Sequence, residues 1–280
     1  MSVPQPLYCF SRPLRRIASA TALLLCGFHG IACADELRIG GTGSALGTMR
    51  LLGTAFGAGH PEIVVKVVPN LGSAGSIQAV AHGAIDLAVT SRPMKQDELK
   101  LGARELEYGR TPFVFAVSTK SGITETTLAQ LAAIYAGRQA KWPDGGDIRP
   151  ILRPAGDSDS DMVKSLSPEI AQAHALAEKR PGIRISNTDQ DAADDLEQIP
   201  GAIGPTSLAL ILTEDRKLRA LKLDGKEPTA KNLASGAYPY AKRLFMVMRN
   251  MRSAPANLFV AFVQSPAGRK VLVEQGHWVP

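Results

Sequence analysis

The stretch Leu37-Arg-Ile-Gly-Gly-Thr-Gly-Ser-Ala-Leu-Gly-Thr-Met49 constrains the fold of this chain more than any other. Leu37 to Ile39 predicts a short buried strand and Gly40 to Ser44 a tight turn poor in side chains. Ala45 to Phe56 then predicts a helix, with Leu46, Met49, Leu52, Ala55 and Phe56 on one face. A strand that runs through glycines into a helix start leaves several backbone N–H groups unpaired and converging, with the positive end of the helix dipole behind them. Such a corner suits an anion. A purely structural turn is the plainer reading of the same residues. A dinucleotide loop fits poorly, because Gly41, Gly43 and Gly47 are one residue too widely spaced for G-x-G-x-x-G.

The first 34 of the 280 residues read as a signal peptide rather than as part of the fold. Arg12, Arg15 and Arg16 precede a mostly apolar run from Ile17 to Ile31, and Ala32-Cys-Ala34 offers small residues before Asp35. Export to the periplasm follows. Arg15-Arg16 leaves a twin-arginine signal open, and Gly30-Ile-Ala-Cys33 leaves a lipid anchor at Cys33 open. All three cysteines (Cys9, Cys26, Cys33) fall in the leader, so the mature chain offers no disulfide, thiolate metal site or cysteine nucleophile. The net charge of +6 is also partly the leader's, which carries three arginines and no acid. With aromatics at 5%, neither charge nor stacking surface argues for a nucleic-acid partner.

Beyond Leu37, strand and helix patterns alternate. Strands are expected at Ile63 to Val68, Ile85 to Val89, Phe113 to Val117, Ile148 to Arg153, Ile183 to Ser186, Ala202 to Gly204, Leu218 to Leu223 and Leu244 to Met248. Ser207 to Ile211 reads as a sequel to the Ala202 strand. Helices are expected at Ser76 to His82, Lys95 to Leu106, Thr127 to Tyr135, Asp157 to Leu166 and Asp189 to Gln198, the last capped by Asp189. One final helix runs from Ala254 through Gly268 to Glu274. Alternation of this kind means an α/β fold rich in parallel strands.

Four blocks carry a resemblance. Leu71-Gly-Ser-Ala-Gly-Ser-Ile77 is a Gly/Ser-rich turn, and Ala84-Ile-Asp-Leu-Ala-Val-Thr-Ser-Arg-Pro-Met94 is a strand and turn. Ala133-Ile-Tyr-Ala-Gly-Arg-Gln-Ala-Lys-Trp142 and Ile199-Pro-Gly-Ala-Ile-Gly204 follow in order. Together they resemble the phosphate-binding proteins of bacterial phosphate ABC transporters, across roughly Leu37 to Glu274. The resemblance implies a type II periplasmic binding-protein fold: two α/β lobes, each a mixed parallel-rich sheet flanked by helices, joined by two crossing hinge strands. The crossings would fall near Pro112 to Ser118 and Lys242 to Val247. Residues 35–114 with 242–280 would form one lobe and 115–241 the other, closing by hinge motion around a ligand.

Carried over residue by residue, the resemblance assigns Thr42, Gly43 and Ser44 to a first anion turn, Ser73 to a second, and Arg153 to pairing with the anion. Ser91 stands where the family has an aspartate that accepts the proton of hydrogen phosphate. After Arg153, Pro-Ala-Gly-Asp-Ser-Asp-Ser-Asp161 departs from the family's D-G-S-G-T, leaving Asp157, Ser158 and Ser160 as the candidate contacts there. An acceptor in the site selects a protonated oxyanion over sulfate, which a site of donors alone does not. Either Asp157 or Asp159 supplies that acceptor from the opposite lobe, or the pocket serves another oxyanion such as sulfate, molybdate or tungstate.

Other constellations are weaker. Asp157, Asp159 and Asp161 lack the glycine and bidentate glutamate of a calcium loop, and they read equally as acids at a helix start. Arg92 offers a second cation or caps the surface. His60, His82, His174 and His277 are scattered, with no nucleophile elbow or H-E-x-x-H among them, so no catalytic residue, metal or cofactor is assigned. The expected protein is a monomer that captures a small oxyanion, phosphate foremost, and presents it to an ABC permease in the inner membrane. A sensor or envelope module on the same fold is the alternative.

Overall fold

In the computed structural model, which describes residues 1–5, 35–69 and 71–280, the chain is organised around a single long strand, Ala103–Ser118. Residues 6–34 of the leader, with its three cysteines, lie outside the described residues. In chain order the elements are β1 (Asp35–Gly41), α1 (Gly43–Gly57), β2 (Ile63–Val68), α2 (Gly72–Ala81), β3 (Leu87–Thr90), a 3-10 turn (Glu98–Leu101) and β4 (Ala103–Ser118). Then come β5 (Glu125–Thr126), α3 (Leu128–Tyr135), β6 (Arg149–Leu152), α4 (Ser158–Ser165), α5 (Pro168–Ala177), β7 (Arg184–Ile185) and α6 (Asp189–Gln198). The chain finishes with β8 (Ala202–Ser207), α7 (Leu208–Thr213), β9 (Leu218–Ala220), β10 (Lys222–Leu223), α8 (Ala230–Ala234), β11 (Ala241–Arg249), α9 (Ala254–Gln264) and α10 (Pro266–Glu274).

The main sheet is mixed and ordered β2-β1-β3-β11-β4-β8-β6-β7, with β9 also paired to β4. Pairs β1/β2, β1/β3, β6/β7 and β6/β8 are parallel, as helical crossovers require. β11 runs antiparallel to both β3 and β4. β4 changes partner midway: its first part pairs with β11 up to Pro112, and from Phe113 it pairs with β8 and then β9.

Burial explains the unbroken apolar run in β4. Successive strand side chains point to opposite faces, so a strand covered on both faces is apolar throughout. Phe113, Phe115 and Val117 pack with Leu131, Tyr135 and Trp142, whereas Val114 and Ala116 pack with Ile151, Leu196 and Leu210. On the other side of the molecule, Leu37, Ile39, Leu46, Met49 and Phe56 pack with Leu244, Met246 and Phe259. Ile77 and Val80 cover the opposite face, against Ala88 and Val247. Two of the resemblance blocks meet here. Trp142 Nε1 donates to the Gly201 carbonyl at 3.1 Å, and Gly201 (φ 76°) has no room for a side chain, since a Cβ would lie 1.9 Å from the Asp147 carbonyl oxygen.

Several expected elements differ. Lys95 to Leu106 is not a helix: Glu98 turns back to bond the Lys95 amide and Arg92, and Gly102 in the left-handed region ends the 3-10 turn just before β4. Ser207 starts α7 by accepting from the Leu210 amide, so Ser207 to Ile211 is not a strand. α6 is capped by Thr188, in a capping box with Asp191, and not by Asp189. The last helix breaks at Ser265, which caps a new helix with Pro266 at its start. α2 begins at Gly72, which brings Ser73 into its first turn.

Candidate functional site

The strand-to-helix turn after β1 depends on Gly41, whose φ is 156° and whose Cβ would collide with the Val89 carbonyl 1.8 Å away. β1 and β3 therefore approach closely, and the Thr42 amide donates to that carbonyl at 2.9 Å. Thr42 stands at the N-cap of α1, yet its side chain caps nothing, and the first turn of α1 contains no acid. The positive end of α1 is thus uncompensated by its own helix. α2 starts in the same way, without a side-chain cap. Ser73 Oγ there accepts from the Ser91 amide at 3.2 Å and lies 3.4 Å from Ser91 Oγ.

Facing these turns are residues that follow β6. Arg153 is only 3% exposed. Its Nη1 donates to the Ser186 carbonyl at 2.5 Å, and Nη2 reaches Asp157 Oδ2 at 3.2 Å and Asp189 Oδ2 at 3.9 Å. Its Nε is buried with no partner. Asp157 caps α4 by accepting from the Asp159 amide. Ser158 Oγ, one residue on, comes within 2.7 Å of Ser91 Oγ, which also donates to Thr42 Oγ1 at 3.4 Å.

Together Thr42, Gly43, Ser73, Arg153, Asp157 and Ser158 line one cavity of about 250 Å³. Arg92, Lys95 and Asn187 to Gln190 complete its wall. The remaining candidates do not line it. Ser44 and Ser91 stand one hydrogen bond behind the wall. Ser160 is turned away, donating to the Arg153 carbonyl at 2.8 Å. Of the two aspartates weighed as acceptor, Asp157 reaches the cavity, whereas Asp159 lies behind it, against Lys242. Arg92 lines the cavity and is held there by a bidentate pair with buried Glu98 at 2.7 Å, a partner not foreseen from the sequence.

Besides Lys95, Asn187, Thr188 and Gln190 in the cavity wall, two buried charges beside it escaped the sequence reading. Lys242, from β11, is fully buried; its Nζ contacts Asp159, donates to Ser44 Oγ at 2.8 Å and lies 3.8 Å from Asp189. The signal was available, since 242 is in register with the buried set Leu244, Met246 and Met248 on a period of two. Asp189, at the start of α6, accepts from Ser44 Oγ at 2.7 Å and from Thr42 Oγ1 at 3.5 Å. Burial pushes Asp189 up, but Lys242, Arg153 and the Ser44 donors outweigh it and hold the carboxyl below the ordinary range. Burial pushes Asp159 up as well; Lys242 opposes the shift, and with Asp189 and Asp157 nearby the carboxyl ends above the ordinary range.

Among the described residues no group of histidine, cysteine and acidic side chains is placed to hold a metal ion. Asp157, Asp159 and Asp161 diverge: a cap, a buried partner of Lys242 and an exposed side chain. No described helix is long and apolar enough to cross a membrane.

The family described as the PBP superfamily domain matches residues 29–267. The phosphate-binding protein PstS of Borreliella burgdorferi is 24% identical over 212 residues, covering 73% of this chain and 76% of that protein. PstS of Bacillus subtilis is 24% identical over 228 residues, covering 79% and 72%. Among solved structures, a Clostridium perfringens ABC transporter protein with bound phosphate superposes with a TM-score of 0.75 at 19% identity, covering 88% of this chain and 100% of that one.

Proposed function

The chain belongs to the PBP superfamily domain family, and from that membership we propose that it is an exported solute-binding protein. It captures a small oxyanion, phosphate foremost, in the cavity between α1, α2 and α4 and delivers it to an ABC permease without turning it over. The observation that carries this reading is Arg153: a buried guanidinium with a free Nε, set in a cavity that it shares with the N-termini of α1 and α2, the hydroxyls of Thr42, Ser73 and Ser158, and the cations Arg92 and Lys95, with Asp157 and Asp189 as its acids. Relatives named as phosphate-binding proteins support the choice of ligand. Residues 35–114 with 242–280 form one lobe and 115–241 the other, hinged on β4 and β11. The apolar clusters support that division in outline, with the change in packing falling at Phe113, where β4 leaves β11 for β8, and with Trp278 packed against the second set.

The ligand contacts are Thr42, Gly43, Ser73, Arg153, Asp157 and Ser158, with Ser44 and Ser91 behind them. Ser91 sees only hydroxyls, so the discriminating test is a thermal-shift panel of phosphate, sulfate, molybdate, tungstate and phosphonates on the mature protein at two pH values. A ligand at ~1,000 times its Kd stabilises by about 4 kcal/mol, a shift of several degrees. No shift with any of these anions refutes the proposal; a shift with sulfate or molybdate but not phosphate reassigns the ligand.

A further inference from the structure

We propose that Asp189 is a tethered anion. Its carboxylate occupies the α1 anion corner when no ligand is bound, and an incoming oxyanion must displace it. The inference rests on the oxyanion reading above and adds to it a residue that sets affinity and selectivity.

At this corner Asp189 takes the Ser44 hydroxyl at 2.7 Å and lies beside two further donors that an oxyanion would need, the Thr42 hydroxyl at 3.5 Å and the Arg153 guanidinium at 3.9 Å. The other cleft acids have local tasks, Asp157 capping α4 and Asp159 pairing with Lys242. Asp189 is not needed at the start of its own helix, because Thr188 and Asp191 cap α6 between them, and Lys242 is 3.8 Å away and bonded to Asp159 and Ser44 instead. The approach is also built in from the other side. A Cβ on Gly43 would lie 2.6 Å from Asp189 Cβ and 2.4 Å from Gln190 Oε1, so α6 rests directly on the bare backbone of α1. Gln190 Nε2 secures it, donating to the Gly43 carbonyl at 3.1 Å. Ser91 and Ser158, at 2.7 Å, likewise leave no space between them for an oxyanion. The two sides of the cleft thus meet at Asp189, and the same carboxylate borders the cavity.

A tethered group competes at an effective concentration in the millimolar range. A monoanion offers those donors no more than Asp189 does, whereas a tetrahedral dianion brings a second charge and further oxygens for Arg153. Asp189 therefore lowers affinity for all anions and excludes singly charged ones.

The experiment is calorimetric titration of inorganic phosphate into the wild type, Asp189→Asn and Asp189→Ala, with melting curves of each in high-millimolar formate against matched chloride. Both variants should bind phosphate roughly ten-fold or more tighter than wild type, and formate should raise the melting temperature of Asp189→Ala but not of the wild type. Phosphate binding that is unchanged or weaker in both variants overturns the proposal while leaving the oxyanion reading intact, and so does formate without effect on Asp189→Ala. Phosphate silent on all three forms, with formate still stabilising Asp189→Ala, upholds the tethered carboxylate and removes the phosphate reading alone. Should neither variant fold, a crystal structure of phosphate-bound wild type decides: Asp189 clear of Ser44 supports the proposal, and Asp189 still bonded to Ser44 overturns it.

Discussion

Replacing Lys242 with methionine should cost this protein more stability than any exposed charge could. The ammonium is wholly enclosed and touches Asp159, Ser44 Oγ and, at 3.8 Å, Asp189. Methionine keeps most of the stem, so packing changes little and the effect is electrostatic. Two buried carboxylates are then left without the cation that both lean on. Removing one partner of a buried pair costs about 3–5 kcal/mol; at ~2–4 °C per kcal/mol for a chain of this size, the melting temperature should fall by roughly 6–20 °C at neutral pH. The deficit has a sign that pH can test. Asp159 already sits above the ordinary carboxylate range through burial, and without Lys242 it rises further. The folded variant then holds a proton that the unfolded chain releases, so its stability is lost as pH rises and recovered as pH falls. Urea unfolding of wild type, Lys242→Met, Asp159→Asn and the double variant at pH 5 and pH 8 gives the coupling directly. A loss under ~1 kcal/mol at pH 8, or a gap that widens on acidification, refutes the reasoning.

Three further outcomes are expected. Arg153→Lys keeps the charge but cannot span the Ser186 carbonyl and Asp157 together; phosphate affinity should fall about 100-fold, close to 3 kcal/mol, by calorimetry, and unchanged affinity removes Arg153 from the site. His277 is buried and held neutral, its pKa pushed down to about 4 by burial. Because the folded value lies below the ordinary one near 6.5, its contribution is complete above about pH 6.5 and is lost as pH falls toward 4, up to about 3 kcal/mol. His277→Gln should flatten the acid limb of a plot of melting temperature against pH, and an unchanged limb counts against this. Gly201→Ala must move the Asp147 backbone out of contact; its urea midpoint should drop by the equivalent of more than about 1 kcal/mol, and a neutral result contradicts the geometry.

Much of this fold was legible from local signals. β1, α1, β2, α3 and α9 follow from periodicity and caps, whereas Arg153, which the structure sets in the cavity wall, entered only through the family resemblance. What escaped was governed by contacts between distant segments. The charged stretch from Lys95 looks helical by composition, but Glu98 is drawn to Arg92 and the chain is needed as β4. Asp189 fits an N-cap by residue type, yet Thr188 takes that task and leaves its carboxylate to reach a helix 145 residues away in sequence. α5 is a different kind of miss. Ser167-Pro168 is an ordinary helix start, with the Ser167 hydroxyl accepting from the Ile170 amide, and it was readable.

The charges of the cleft explain why a site for anions can carry three acids. Arg153 and Lys242 alone would leave an empty cleft with two buried, unscreened positive charges facing helix N-termini, an arrangement burial penalises heavily. Asp157, Asp159 and Asp189 remove that penalty, but not in equivalent ways. Asp159 is locked to Lys242 in the wall, and Asp157 is fixed by its own helix. Only Asp189 joins α6 to α1 through groups that a ligand would also want. On the proposal above, release of that one carboxylate is the step that lets an oxyanion in. Ser91 stands where the resemblance implies an aspartate, so the acids that border the cavity, Asp157 and Asp189, both come from the chain beyond β6.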